Sequence, residues 1–259
     1  MIKLERTSVM NLENAMRGAR NPMNSWNRMD SFYDEDGNYV LGPNDLGLAK
    51  RLRRAGSDHR KYIRQVFVSV DITAPMYWWK EYDTYKVATV ANSTSTMHKI
   101  HSKPFELDDF SHDHLTPESE AYMQTIVDQL EKIRLKYVET KDKAYWYDMI
   151  QLLPSSYNQM RTCTLNYETL INIYFSRKNH KLDEWHTFCD WIKTLPYAKE
   201  LILAEEEEAK PWARLLSWEE KRWRVCREHS LCTGGRILYL RPIRITGSKE
   251  LLYAAAWKK

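Results

Sequence analysis

The stretch "RQVFVSVDITAP", Arg64 to Pro75, decides the fold. Val66, Val68, Val70 and Ile72 alternate with Phe67, Ser69, Asp71 and Thr73. A period of two sends the aliphatic set to one face of a strand and the mixed set to the other. Ala74-Pro75 ends the strand. Pro75 suits the first turn of a helix, where its missing N–H leaves no bond unmade. A helix is therefore predicted over residues 76–90, carrying Trp78 and Trp79. A strand hidden on one face needs a sheet and a covering layer, so the class is α+β: a central sheet flanked by helices.

Upstream, a first helix is predicted from about Leu12 to Ala19, and residues 29–47 read as a loop or short hairpin around Asp36-Gly37. A second helix follows Asp45 as its N-cap and stops at Gly56, with Arg51, Arg53 and Arg54 as a solvated face. Downstream, residues 100–115 form a loop holding His101, His112 and His114. Thr116-Pro117-Glu118 opens a helix in which Tyr122, Ile126, Leu130, Ile133 and Tyr137 recur at helical spacing, as core contacts do. Helices over 143–153 and 167–177 are joined by "PSSYNQMRTCTLN", and another runs from Leu182 until Pro196 breaks it. The acidic run at 205–208 is a solvated face. Beyond it the composition shifts to a Trp/Arg-rich amphipathic helix and then "RILYLRPIRI", so residues 1–208 form the main domain and 209–259 a C-terminal extension.

A chain of 259 residues with 43% hydrophobic and 12% aromatic content can build a packed core. Its 39 basic and 35 acidic residues nearly cancel, which allows a phosphate-bearing ligand without demanding DNA or RNA. Cys163, Cys189, Cys226 and Cys232 are too scattered for a disulfide framework. No apolar leader opens the chain and no run approaches a membrane span, which fits a soluble cytoplasmic protein.

Three stretches together resemble the flavin-dependent thymidylate synthases. "APMYWWKEYDTYKVATVANSTSTMH", residues 74–98, is similar to their signature region: an Ala-Pro helix start, an Arg-Gln pair, an Arg-His-Arg triplet and a serine-rich run. "LLPSSYNQMRTCTLNYETLINIYFSRKNHKLDEW", residues 152–185, looks like their Leu-Pro segment and Thr-x-Asn helix start. "AMRGAR", with Asn21 and Ser25 after it, is similar to an N-terminal element. The resemblance covers about residues 10–204. It implies a fold like that of the thymidylate synthase-complementing proteins. It also implies methylation of dUMP, with methylenetetrahydrofolate as carbon donor, FAD as cofactor and NADPH as hydride source. Homotetramers with active sites between subunits are implied as well.

Carried over residue by residue, the resemblance puts Asn166, Asn172 and Lys86 on the flavin and Arg177 on the pyrimidine, where it would be catalytic. Read without the resemblance, Asn166 is a helix N-cap and Arg177 a helix C-terminal cation. The phosphate-binding serine falls on Thr94 or on Ser95, and the arginine after it on Thr96 or Met97. The triplet reads Thr84-Tyr85-Lys86, the Arg-Gln pair reads Lys80-Glu81, and a further phosphate arginine falls on Ile150. The usual arginine clamp is largely missing. Glu81 would repel a phosphate unless paired with Lys80 or Lys86, and Arg17, Arg20, Lys99 or Arg161 could supply the charge instead.

Other signals are weaker. Trp78 and Trp79 read as core or subunit interface rather than as platforms for a base. His112 and His114 share a spacing but lack a third ligand, and Cys226, His229 and Cys232 lack a fourth, so no metal is expected. The Trp/Arg tail could stack on nucleic acid or cover a neighbouring subunit, and Glu219 and Glu220 interrupt its basic stripe in favour of the second. The alternative to an enzyme is a descendant that keeps the fold for binding or assembly.

Overall fold

The structure is a computed structural model describing residues 2–204, 241–242 and 253–254. Two compact units are distinguished, Met1–Glu207 and Glu208–Lys259, each described by itself. In the first, the strands are β1 (Lys3–Met10), β2 (Phe32–Tyr33), β3 (Tyr39–Val40), β4 (Phe67–Pro75), β5 (Val90–Ser93) and β6 (Asn158–Asn166). The helices are α1 (Leu12–Arg20), α2 (Pro43–Arg54), α3 (Met76–Tyr82), α4 (Pro117–Thr140), α5 (Lys143–Leu152), α6 (Tyr167–Arg177), α7 (Asp183–Thr194) and α8 (Ala198–Leu201). In the second, β7 (Arg241–Pro242) pairs with β8 (Tyr253–Ala254) in antiparallel fashion. The expected domain boundary, the Trp/Arg helix and the Cys226/His229/Cys232 set lie outside the described residues.

The central sheet has the order β1-β4-β6-β5, and every neighbouring pair is antiparallel. As the alternation requires, Val68, Val70 and Ile72 of β4 are buried while Ser69, Asp71 and Thr73 are only partly covered. Cys163 and Leu165 of β6 join the buried face. Residues of α1, α3, α6, α7 and α8 join this core, with Ala49 of α2 and with Tyr62 and Ile63 before β4. Trp78 and Trp79 are both buried in it, as expected of core residues. A smaller core gathers Ile100, Phe105 and Phe110 with Val127, Leu130 and Ile133 of α4 and Met149 of α5.

Several expectations need correction. The helix after Pro75 stops at Tyr82 instead of running to residue 90. Thr84 turns the chain by bonding the Glu81 carbonyl through both its N–H and its hydroxyl, and the β-branched residues that follow lead into β5. The segment "NQMRTCTLN" is not a linker but the nine-residue strand β6. Its polar residues hide the alternation, and its pairing with β4 and β5 makes it a strand. β1 is also a strand, with Arg6 in a left-handed conformation at a bulge. Tyr122 is 69% exposed, because the first turns of α4 run past the smaller core; Leu130 and Ile133 are buried as expected. The hairpin around Asp36-Gly37 is present as β2–β3.

The second helix starts at Pro43 rather than after Asp45, because Asp30 caps it by accepting the N–H groups of Asn44 and Asp45. A Cβ on Gly42 would lie 2.3 Å from the Asp30 carbonyl oxygen, so this approach needs glycine. Arg53 is not solvated: it is buried and donates to the carbonyls of Leu201 and Ile202. Arg20 and Asp45 form a buried ion pair at 2.6 Å. Arg20 also donates to the Ser25 and Arg28 carbonyls. Asp45 also accepts from the Ser31 hydroxyl and from the Asp30 and Ser31 N–H groups. Arg20 is thereby committed to the fold.

Burial alone would raise the Asp45 pKa, but the hydrogen bonds from Ser31 and Arg20 outweigh it and hold the carboxyl below its ordinary value. A depressed folded-state pKa adds stability above the ordinary carboxylate range, and that stability is lost as pH falls through the folded value. Asp45→Asn should cost about 3–5 kcal/mol at neutral pH, because it strands a buried guanidinium. The variant should also lose stability less steeply in acid than the wild type. Urea unfolding across the acid range measures both, and an unchanged midpoint and slope would show that the pair contributes nothing.

Candidate functional site

β5 ends at Ser93, and the chain keeps the ladder for one more residue. The Thr94 N–H donates to the Met160 carbonyl at 2.9 Å, and its hydroxyl to the same oxygen at 3.2 Å. The Gln159 side chain donates back to the Thr94 carbonyl at 2.7 Å. Ser95 Oγ then accepts from the N–H of Met97 at 3.3 Å and of His98 at 2.9 Å, which closes a turn. Trp146 of α5 pins that turn by donating to the Met97 carbonyl at 2.9 Å. Thr94, Ser95 and Lys99 lie on the wall of a cleft of about 820 Å³, with Lys3, Tyr157 and Asn158 among its other lining residues. This volume is within the range of small-molecule sites.

A second cluster forms behind α3. The Glu81 carboxylate accepts from Trp185 Nε1 at 2.8 Å and pairs with Arg177 Nη1 at 3.1 Å and His180 Nε2 at 3.3 Å. Arg177 Nε donates to the Tyr85 hydroxyl at 2.9 Å. Its guanidinium carbon lies 4.9 Å from the Trp185 ring centre and 5.6 Å from that of Tyr85. Glu81 is thus paired with Arg177, and not with Lys80 or Lys86 as the sequence suggests, and it lies beside His180. Chain-distant partners decide this, since Arg177 arrives from the end of α6.

The predicted flavin residues differ in freedom. Asn166 is 4% exposed and fully engaged: its Oδ1 accepts from the Thr169 N–H, and its Nδ2 donates to the Arg64 carbonyl. It is an N-cap of α6, and it also ties that helix to the segment before β4. Asn172 and Lys86 are exposed, the first on α6 and the second in the turn after α3. Arg177 faces α3 and α7 while Asn172 faces solvent, so the two side chains leave α6 in different directions.

The alternative cations also separate. Arg20 is consumed by Asp45, and Arg17 is exposed on α1 beside Asn14. Arg161 stacks 4.1 Å from the Trp79 ring centre, pairs with Asp83 at 2.9 Å and bonds Gln159. Only Lys99 of the four is among the residues lining the cleft. Lys3 lines it too, and sequence reading missed it because β1 was not recognised as a sheet strand.

Among the described residues no three potential ligands gather for a metal. His112 bonds the Phe110 carbonyl, while His114 lies 3.4 Å from Asp183. Cys163 and Cys189 are buried, and burial pushes both thiols up to about 11, so neither supplies a thiolate near neutrality. No described helix is long and apolar enough to cross a membrane.

No protein-family model matches the chain, and no curated protein matches it by sequence. Solved structures do match by fold. A flavin-dependent thymidylate synthase from Helicobacter pylori, complexed with FAD and dUMP, aligns with a TM-score of 0.59 at 16% identity, over 79% of this chain and 99% of its own. A second structure of thymidylate synthase X from that organism, also with FAD and dUMP, gives 0.60 at 16% identity, over 78% and 97%. The chain has the fold of the flavin-dependent thymidylate synthases.

Glu81→Ala should leave Arg177 and the Trp185 N–H without their shared acceptor. The group is partly exposed, so the expected loss is about 1–2 kcal/mol rather than that of a fully buried pair. Intrinsic fluorescence should shift as Trp185 loses its bond. Equal urea midpoints and identical emission spectra would mean that Glu81 holds nothing in place.

Proposed function

We propose that this chain is a flavin-dependent enzyme of the thymidylate synthase type that methylates dUMP or a related pyrimidine nucleotide. Methylenetetrahydrofolate is the carbon donor in this reading and NADPH the hydride source. The observation that carries it is the cleft of about 820 Å³ that opens where β5 ends, with Thr94 and Ser95 on its wall. It occurs in a chain whose fold is shared with structures that hold FAD and dUMP. FAD, when bound, would carry the reducing equivalents. Lys86 and Asn172 are exposed and free to reach it, whereas the Asn166 amide is engaged within the chain. A guanidinium has five donors. The bonds that Arg177 makes through Nε and Nη1 leave Nη2 for a pyrimidine oxygen.

The same proposal includes a cytoplasmic homotetramer with sites completed between subunits, no nucleic-acid partner, and a division into residues 1–208 and 209–259. A second reading is a non-catalytic descendant that keeps the fold for binding or assembly. The Glu81–Arg177 ion pair favours it, since a nucleotide base must compete with a built-in carboxylate for that guanidinium.

Absorbance of the purified protein in the blue region discriminates the two. The enzyme reading expects bound flavin, or its uptake from added FAD. A colourless protein that takes up none supports the second reading. Arg177→Ala should weaken dUMP binding by about 1.5–3 kcal/mol with flavin occupancy nearly unchanged. Asn172→Ala should do the reverse. Titrating both variants with dUMP and FAD checks this, and wild-type behaviour in both would remove these residues from the site. Sedimentation giving only monomer at micromolar concentration would remove the tetramer.

A further inference from the structure

The central sheet ends in two unlike edges: β1 closes one and β5 the other. A free edge offers a row of unpaired N–H and C=O groups to another strand, and proteins blunt such edges with charges, bulges or prolines. β1 is blunted. Lys3, Glu5 and Arg6 are exposed along it, its register slips between Glu5 and Ser8, and Arg6 takes a left-handed φ of 51° at that bulge. Trp191 of α7 also donates to the Thr7 hydroxyl at 2.9 Å. β5 has none of these devices. No residue from Val87 to Met97 is charged and none is proline. Val90, Ala91, Asn92 and Ser93 pair with β6 without a slip in register, and all of them are exposed. Val87 and Val90 are 85% and 67% exposed, so covering this edge removes apolar surface from water.

The free backbone groups of β5 follow from its pairing. The Thr94 N–H donates to the Met160 carbonyl opposite it. In an antiparallel ladder every second residue bonds the same neighbour, so Asn92 and Val90 face β6 and the N–H and C=O groups of Ala91 and Ser93 point away from it. Those outward groups make no hydrogen bond among the described residues.

We propose that β5 pairs antiparallel with the β5 of a second copy of this chain, across a twofold axis at Asn92. In that register Ala91 of each copy lies opposite Ser93 of the other, and the two exchange N–H···O=C bonds. Asn92 meets its own equivalent in a non-hydrogen-bonded pair, where side chains approach closest. A twofold contact sets a patch against itself, which an uncharged edge allows and a charged one would oppose. Pairing of β5 onto β1 of another copy is opposed by the bulge and charges of β1. The inference rests on the assembly part of the reading above, to which it gives a surface, and takes nothing from the nucleotide chemistry. Because β5 leads straight into Thr94 on the cleft wall, the clefts of the two copies then share one continuous sheet.

Sedimentation of the full chain at micromolar concentration tests the pairing, with Asn92→Lys, Asn92→Asp and their equimolar mixture beside the wild type. Circular dichroism confirms folding. Wild type should be a dimer or larger. Each charged variant alone sets like charges opposite each other and should lower the mass of the assembly about twofold. The mixture should restore it, since unlike charges then meet. Asn92→Cys should give a disulfide-linked dimer on oxidation that wild type does not, because Cα atoms in such a pair lie about 4.5 Å apart, within the span of a disulfide. If both charged variants keep the wild-type mass, or if the mixture does not recover it, the pairing is wrong and the assembly uses another surface. If the charged variants fail to fold, absence of the Asn92→Cys cross-link overturns the pairing. A wild-type dimer that the charged variants split into monomers upholds the pairing and removes the tetramer. A monomeric wild type overturns both.

Discussion

Trp78 is the residue on which the main unit depends. Its ring lies 4.7 Å from Trp185, 5.0 Å from Trp79, 5.1 Å from Tyr82 and 5.6 Å from Phe188, measured between centroids. It therefore joins α3 to α7 over the covered face of the sheet. Burying an indole of this size is worth roughly 5 kcal/mol. Its Nε1 has no hydrogen-bond partner among the described residues, and leaving such a donor unpaired costs about 1–3 kcal/mol. Burial outweighs the lost bond, so the ring stays inside and fixes how α3 and α7 meet.

That fixed meeting has electrostatic consequences. With α3 held, Glu81 lies beside Trp185, and the end of α6 brings Arg177 to the same carboxylate. An acid that looks hostile to a nucleotide in the linear sequence becomes the counter-ion of an arginine. On the far side of α3, Trp79 carries the Arg161 guanidinium on its ring face. Arg161 bonds Gln159, and Gln159 in turn holds the Thr94 carbonyl at the edge of the cleft. The aromatic core and the cleft wall are thus linked through a short chain of hydrogen bonds.

Cation chemistry in this chain follows burial. Arg20 and Arg53 serve the fold through a carboxylate and two carbonyls respectively, and both are nearly inaccessible. Arg161 and Arg177 are partly covered and lie on aromatic faces. The lysines that line the cleft, Lys3, Lys99 and Lys103, remain exposed. Guanidinium groups are suited to the dry, forked contacts and ammonium groups to the wet ones, and these particular residues follow that difference.

The sequence by itself determined the half-buried strand, expected over Val66–Thr73 and found at Phe67–Pro75, the helix start after Pro75, the α4 cap at Thr116, and the N-cap character of Asn166. In each case the signal is local: a period of two, a fixed φ, or a side chain that reaches its own helix's N–H. The order of segments behind the thymidylate synthase resemblance was legible for the same reason. Tertiary structure alone decided that "NQMRTCTLN" is a central strand, since its polar residues gain ladder partners only when β4 and β5 lie on either side. It alone decided that Glu81 meets Arg177, 96 positions along the chain, and that Lys3 shares a cleft with Lys99. Such contacts have no local signature, because they are fixed by the packing of elements rather than by the preferences of neighbouring residues.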